Sequence, residues 1–490
     1  MDDARLLLNR RRLLQGAASL AALSALQGCG YHANYEYHAP SGNPLPLPSG
    51  PVVQGSLTVT TTAIGAIPSR FMGLSYEKLA MSYGYFHASN RNLIAFFRHL
   101  GAGVLRLGGG FVDRLLWTPS ANGTHQQISP TNVKNLAGFL RASGWLCLYG
   151  VNLATSTPAL AAEEVSFAAS ALGESLLGIE IGNEPDEYGV MGNHFAGNWT
   201  FQDFLDRWNA FRSAILQAAP HVPITGPAAG GGNHISTWTL PFGQMVTPSE
   251  LTLLTQHYYR QSGRSPTSTA SFLVSPDEQL TTDLGILKAG AQQLGIPYRI
   301  SEVNSFFNGG AAGVSNSYAS SLWVLDFLFN AAMGGATGVN MHGGGNAPGY
   351  TPIADDSGAV IEARPEYYGL LLFALAGTGT LLETQLSAGS VDVTAYAVKT
   401  PSGGLNIIVV NKDTLQNLTL TIRANQAIET ASMQIMTGPS LAAISGVTIQ
   451  GATMEKDGTF APASPGTLTP DGDQTTCFLP ALSATLISIT

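Results

Sequence analysis

The sequence predicts an α/β chain: a (β/α)8 TIM barrel followed by a C-terminal antiparallel β-sandwich domain. Three observations carry this expectation. Between about residues 71 and 375, apolar strand-like runs alternate with amphipathic helix-like ones, the pattern of repeated βα units. Eight strand-like runs can be counted there. After about residue 378 the period shortens to alternating, β-branched segments separated by Gly, Asn and Asp, as in a sandwich.

The eight runs are Phe71–Glu77, Val104–Gly108, Trp145–Leu153, Leu176–Asn183, Pro223–Pro227, Leu251–Tyr259, Tyr298–Val303 and Gly335–His342. Most are nearly continuous apolar stretches, which suits parallel strands buried on both faces. The fourth run stops at Asn183, Glu184 and Pro185, where proline ends the ladder. In the sixth, period-two alternation puts His257 and Tyr259 on one face and Tyr258 on the other. Phe201–Ala218 and Ser315–Ala332 are long enough for covering helices. Eight βα units in roughly 300 residues is the arithmetic of a barrel. Its functional end is the C-terminal end of the strands. Val391–Lys399, Leu405–Val410, Leu418–Ile422 and Ala484–Ile489 read as sandwich strands, and the early run Ser56–Thr62 is assigned to the same sandwich. The expected organisation is therefore residues 1–30 as an export signal, 31–54 as a tether, 55–67 as a strand joining the sandwich, 68–377 as the barrel and 378–490 as the sandwich.

Composition bounds the function. Of 490 residues, 44% are hydrophobic and 11% charged, which describes a folded chain with a large core. The 56 glycines imply many tight loops. A net charge of −9 offers no basic field for nucleic acid. Three cysteines make no disulfide framework. Cys147 lies in the apolar run from Trp145 to Tyr149 and reads as a buried thiol; a bridge to Cys477 is neither required nor excluded.

Arg10, Arg11 and Arg12 precede an uncharged, Ala- and Leu-rich stretch from Leu13 to Leu26, which reads as an export signal resembling the twin-arginine type. Leu26, Gln27, Gly28 and Cys29 resemble a lipoprotein cleavage box, with lipid attachment at Cys29. Ordinary cleavage near Gly28 or Gly30 fits the same small residues. Pro40, Pro44, Pro46, Pro48 and Pro51 then mark a tether without a core of its own. The expected location is outside the cytoplasm, in the periplasm, on the cell surface or secreted.

The chemistry lies at two strand ends. Glu184 closes the fourth strand and Glu302 stands near the end of the seventh. Two carboxylates displayed in a barrel mouth are the equipment of glycoside hydrolysis, one as acid and base, the other as nucleophile. The acid needs a proton affinity raised by partial burial and a neighbouring negative charge. The nucleophile needs hydrogen bonds that keep it ionised, for which Arg106 and Tyr259 are placed on other strand ends. Asn183 is a donor for a sugar hydroxyl. The glycine clusters at 108–110, 230–232 and 343–345 lack the spacing of a phosphate or dinucleotide loop and read as tight loops around a pocket. Ten histidines show no ligand spacing, and neither a zinc-protease motif nor a serine nucleophile elbow is found. No metal or cofactor is expected.

Together these residues resemble glycoside hydrolase family 79, the group of bacterial β-glucuronidases and heparanase, over roughly Phe71 to Tyr350. The resemblance implies Glu184 as acid/base after Asn183 and before Pro185, and Glu302 as nucleophile. It implies substrate contacts from Glu77, Arg106, Gly109, His257 and Tyr259. It also implies a uronate cradle made by Asn308, Gly309 and Tyr350. Phe307 departs from the family, which often has tyrosine there. The expected activity is a retaining, exo-acting β-glucuronidase on an oligosaccharide or glycoside. Another retaining β-glycosidase of the same barrel clan, or a non-catalytic glycan-binding surface lipoprotein, are the alternatives.

Overall fold

The computed structural model describes residues 50–190, 193–195, 197, 199–246 and 250–490. The leader, Cys29 and nearly all of the tether lie outside the described residues. Among the described residues no helix is long and apolar enough to cross a membrane.

Eight parallel strands close a barrel in chain order: Gly73–Glu77, Val104–Gly108, Leu146–Val151, Leu176–Ile181, Ile224–Ala229, Leu253–Tyr259, Tyr298–Asn304 and Val339–Gly343. They are called the first to eighth strands below. Each coincides with a strand-like run of the sequence, shifted by a few residues at the ends. The helix Phe201–Ala218 has the expected bounds, because Thr200 and Asp203 form a capping box at its start. The helix Tyr318–Met333 starts three residues later than the apolar pattern suggests, after Ser317.

The floor of the barrel is polar. Arg299 is buried with no carboxylate partner among the described residues; its guanidinium donates to Asn340 Oδ1 at 2.5 Å and to the carbonyls of Arg70, Phe71 and Val339. Burial pushes its pKa down to about 9. These bonds stitch the seventh and eighth strands to the chain entering the first.

The C-terminal strands form one continuous eleven-stranded sheet that carries both faces of the expected sandwich. Val52–Ile67 lies inside it, antiparallel to Gly379–Ser387 and parallel to Asn417–Arg423. That parallel pair is the departure from a purely antiparallel plan. It arises because the strand comes from the other end of the chain and needs no hairpin. Cys147 and Cys477 are free thiols in two separate apolar cores, so no bridge joins them.

One carboxylate couples the barrel to the sheet. Asp326, on the helix Tyr318–Met333, accepts from Lys412 Nζ at 2.8 Å, Tyr396 Oη at 2.8 Å and Thr394 Oγ1 at 2.6 Å. Lys412 is almost fully buried. Asp326→Ala should therefore destabilise the protein by roughly 2–4 kcal/mol in urea unfolding, since a buried ammonium loses its main partner. Asp326→Asn, which keeps an acceptor for the two hydroxyls, should cost less.

Candidate active site

Glu302 is the hub of the barrel mouth. The seventh strand carries a bulge just before it: Ile300 pairs with Gln256 and Glu302 with His257, so two residues oppose one. Bulges re-aim side chains, and this one turns Glu302 inward, where the residue is 6% exposed. Arg106 Nη1 donates to its Oε2 at 2.6 Å and Tyr259 Oη to its Oε1 at 2.8 Å. His342 Nδ1 lies 3.7 Å away and is bonded to Ser75 Oγ. Burial by itself would raise the Glu302 pKa. His342, His257, Arg106 and the Tyr259 hydroxyl outweigh it and hold the carboxyl well below the usual carboxylate range. His342 is itself pushed down by burial, so Arg106 is the permanent cation among these.

Glu184 stands opposite, in a different setting. Its backbone is left-handed, φ 49°, a conformation that costs a non-glycine residue about 1–2 kcal/mol. The conformation is held by the Glu184 amide on the Ala228 carbonyl and by the Glu187 amide on the Glu184 carbonyl, each at 2.9 Å. Its side chain is 33% exposed, and Oε1 is 2.9 Å from His257 Nδ1. Gly230 closes over it: a Cβ there would come within 3.2 Å of the Glu184 carboxylate. One oxygen of Glu184, one of Glu302 and a ring nitrogen of His257 lie within 4.8 Å of one another. Asp186, Glu187 and His234 form a second such group. In the first group Glu302 is engaged on both oxygens and Glu184 and His257 bond each other; in the second, Asp186 is engaged by the Gly230 amide and by His234.

The other residues singled out in the sequence gather here, in different roles. Asn183 Oδ1 accepts from Arg106 Nη2 at 2.9 Å. Glu77 accepts the Phe111 amide at 2.9 Å, and Gly109 leaves the room it needs, since a Cβ there would meet its carboxylate at 2.3 Å. Burial, opposed by the Phe111 amide and reinforced by the Glu302 charge, pushes the Glu77 pKa up to about 7. Tyr350 packs against Tyr259, with ring centroids 5.9 Å apart. Asn308, Gly309 and Gly310 all have positive φ, and the Tyr350 amide donates to the Gly309 carbonyl. The Asn308 side chain donates through Nδ2 to Ser262 Oγ at 3.1 Å. Phe307 is 44% exposed.

Four positioning residues carried no sequence signal. Asp113 is buried and accepts the amides of Leu153 and Ala154 on one oxygen and of Asn183 on the other, where Tyr188 Oη also donates. It thereby clamps the ends of the third and fourth strands beside Glu184. Asp186 accepts the Gly230 amide and is hydrogen-bonded to His234, fixing the fifth-strand loop. Glu366, fully buried, accepts from Asn304 Nδ2 on both oxygens, at 3.0 and 3.1 Å, and Asn304 also donates to the His342 carbonyl. Glu180 meets Arg106 from below.

No family model matches the chain. It is 25% identical over 353 residues to a β-glucuronidase of Aspergillus niger, the match covering 63% of each chain. It is 25% identical over 256 residues to a β-glucuronidase of Neurospora crassa, covering 48% of this chain and 43% of that one. The chain thus spans less than two-thirds of the length of these relatives. Among solved structures, a 4-O-α-L-rhamnosyl-β-D-glucuronidase of Fusarium oxysporum superposes with a TM-score of 0.73 at 19% identity, over 89% of this chain and all of that one. A family 51 arabinofuranosidase of Xanthomonas axonopodis superposes at 0.61 and 16% identity, over 90% of this chain and all of that one. The fold is that of (β/α)8 glycosidases with a sandwich domain.

Burial pushes the Glu366 pKa from 4.5 up to about 8, against the Asn304 bond that lowers it. The folded state therefore holds a proton between about pH 4.5 and 8 that the unfolded chain releases. Stability falls as pH rises through that window. Glu366→Gln, which mimics the protonated acid, should gain on wild type by roughly 4 kcal/mol between pH 5 and 8.5 in urea unfolding.

Proposed function

We propose that the chain is a retaining, exo-acting β-glucuronidase that works through a covalent glycosyl-enzyme. The observation that carries this is the pair Glu184 and Glu302, with carboxylate oxygens within 4.8 Å. Retaining glycosidases hold their carboxyl groups about 5–5.5 Å apart, inverting ones ~6.5–9.5 Å, to admit a water. The surroundings support the division of roles. Glu302, held ionised by Arg106 and Tyr259, attacks the anomeric carbon, while Glu184 gives its proton to the departing oxygen. In the second step Glu184 takes a proton from water, which attacks the same carbon and restores the Glu302 carboxylate.

The uronate preference rests on the Asn308–Gly310 loop and Tyr350, and on the names of the two curated relatives. No acceptor among the described residues takes the amide hydrogens of Asn308, Gly309 or Gly310. A desolvated carboxylate needs charge-assisted bonds of about 1.5–3 kcal/mol each. Backbone amides supply them without a basic side chain, in keeping with 23 basic against 32 acidic residues. That balance also speaks against an endo-acting enzyme of sulfated polymers. Phe307, an exposed apolar ring where the family often has tyrosine, is the one observation that favours a glucosidase or xylosidase instead. The leader from Arg10 to Leu26 supports export, followed either by a lipid anchor at Cys29 or by ordinary cleavage near Gly28 or Gly30.

Glu302→Gly should abolish turnover. Glu184→Ala should spare the first step on aryl glycosides with excellent leaving groups, and azide should restore its turnover by attacking the intermediate without base help. Failure of azide to rescue Glu184→Ala would remove the assignment of roles.

Tyr350→Phe should lower kcat/KM on a nitrophenyl β-glucuronide by about 10- to 100-fold and leave any glucosidase activity nearly unchanged. Equal loss on both substrates would mean that Tyr350 only shapes the pocket. A wild type that prefers the glucoside or xyloside would overturn the uronate reading.

A further inference from the structure

We propose that Glu180 sets the reactivity of Glu302 by sharing the charge of Arg106, a role that rests on Glu302 being the nucleophile. Arg106 is clamped between two carboxylates. Its Nε donates to Glu180 Oε2 at 2.6 Å and its Nη1 to Glu302 Oε2 at 2.6 Å, and both Arg106 and Glu180 are fully buried. The second Glu180 oxygen, Oε1, is buried and has no hydrogen-bond partner. Glu180 is thus not a network hub like Asp113; its one polar tie among the described residues is Arg106.

A buried carboxylate with half its hydrogen-bonding capacity unused is costly. Holding Arg106 in place does not need it, since Asn183, Ser75 and Glu302 already take the other guanidinium nitrogens. What Glu180 adds is negative charge. The titratable groups that face Glu302 are Glu77 on the first strand, Arg106 on the second, Glu184 beyond the fourth, His257 and Tyr259 on the sixth, His342 on the eighth and Tyr350 beyond it. On the strands beside Glu180, its register partners Gly150 and Thr225 are neutral. With Glu180 absent, the full Arg106 charge would fall on Glu302. An over-stabilised carboxylate is a weaker nucleophile toward the anomeric carbon and a better leaving group from it. With Glu180 present, the two half-reactions are balanced: the Glu302–carbon bond forms as the bond to the leaving oxygen breaks and Glu184 supplies the proton, and the reverse occurs with water.

The test separates the two half-reactions. A 2-deoxy-2-fluoro-glucuronosyl fluoride should trap wild type as an adduct on Glu302, identified by peptide mass spectrometry, with a measurable rate of reactivation. Glu180→Gln keeps the shape and removes the charge. It should be trapped roughly 10-fold more slowly and reactivate about 3-fold faster than wild type. A purely structural role predicts that both rates fall, and that result would overturn the proposal, as would unchanged rates. If Glu180→Gln does not fold, as judged by thermal melting, Glu180→Asp decides. Its carboxylate draws back from Arg106, so it should move the two rates in the same opposite directions by smaller factors, and a fall in both overturns the proposal. A wild type trapped only by the matching 2-deoxy-2-fluoro-glucosyl fluoride overturns the uronate reading alone, and Glu180→Gln is then judged with that probe; absence of an adduct with either probe overturns the double-displacement reading itself, and the role of Glu180 with it.

Discussion

The site depends on one buried cation. Arg106 reaches from the second strand to Glu180 and Asn183 on and just beyond the fourth, to Glu302 on the seventh and to Ser75 on the first. Ser75 passes the connection to His342 on the eighth. A guanidinium in a barrel interior is tolerable only when its donors are filled. The requirement works in both directions. The strands must keep the register that brings these acceptors together, and in doing so they fix where the two catalytic candidates stand.

The two glutamates are made different by their surroundings. Glu302 is submerged, with a guanidinium on one oxygen and a phenol on the other. Glu184 is a third exposed, on a left-handed residue braced by backbone bonds, and its carboxylate is hydrogen-bonded to an imidazole. A carboxylate meant to attack benefits from fixed donors, while one that must pass a proton both ways benefits from access to water. Asp113 and Asp186 then brace the loops on either side of Glu184, so that its exposure does not become mobility.

The barrel was legible because its strands are buried on both faces and so appear as unbroken apolar runs. Glu184 and Glu302 were legible because polar residues interrupt such runs at their ends. Asp113, Glu180 and Glu366 were not. Asp113 meets Asn183 70 positions away and Glu366 meets Asn304 62 away, and no local periodicity marks either pair. Glu180 hides inside a strand where the pattern expects an apolar residue. The hairpin Ile353–Asp356 with Ala359–Ala363, and the strands Gly379–Ser387 and Ala431–Thr437, were missed because threonine-, glutamine- and aspartate-rich edges blur the alternation. The parallel placement of Val52–Ile67 against Asn417–Arg423 follows from pairing across most of the chain, which sequence periodicity does not encode.

That strand has a consequence for how the protein is made. Val52–Ile67 is the first of the described elements to leave the ribosome, yet its partners span residues 379–387 and 417–423. Throughout synthesis of the barrel it has no ladder to join and remains a long β-branched edge, the kind that pairs with a neighbouring chain. The barrel can close on local contacts in the meantime, but the sheet waits for the end of translation. Overexpression, which crowds nascent chains together, should therefore expose swapping of this strand between copies before it exposes any failure of the barrel.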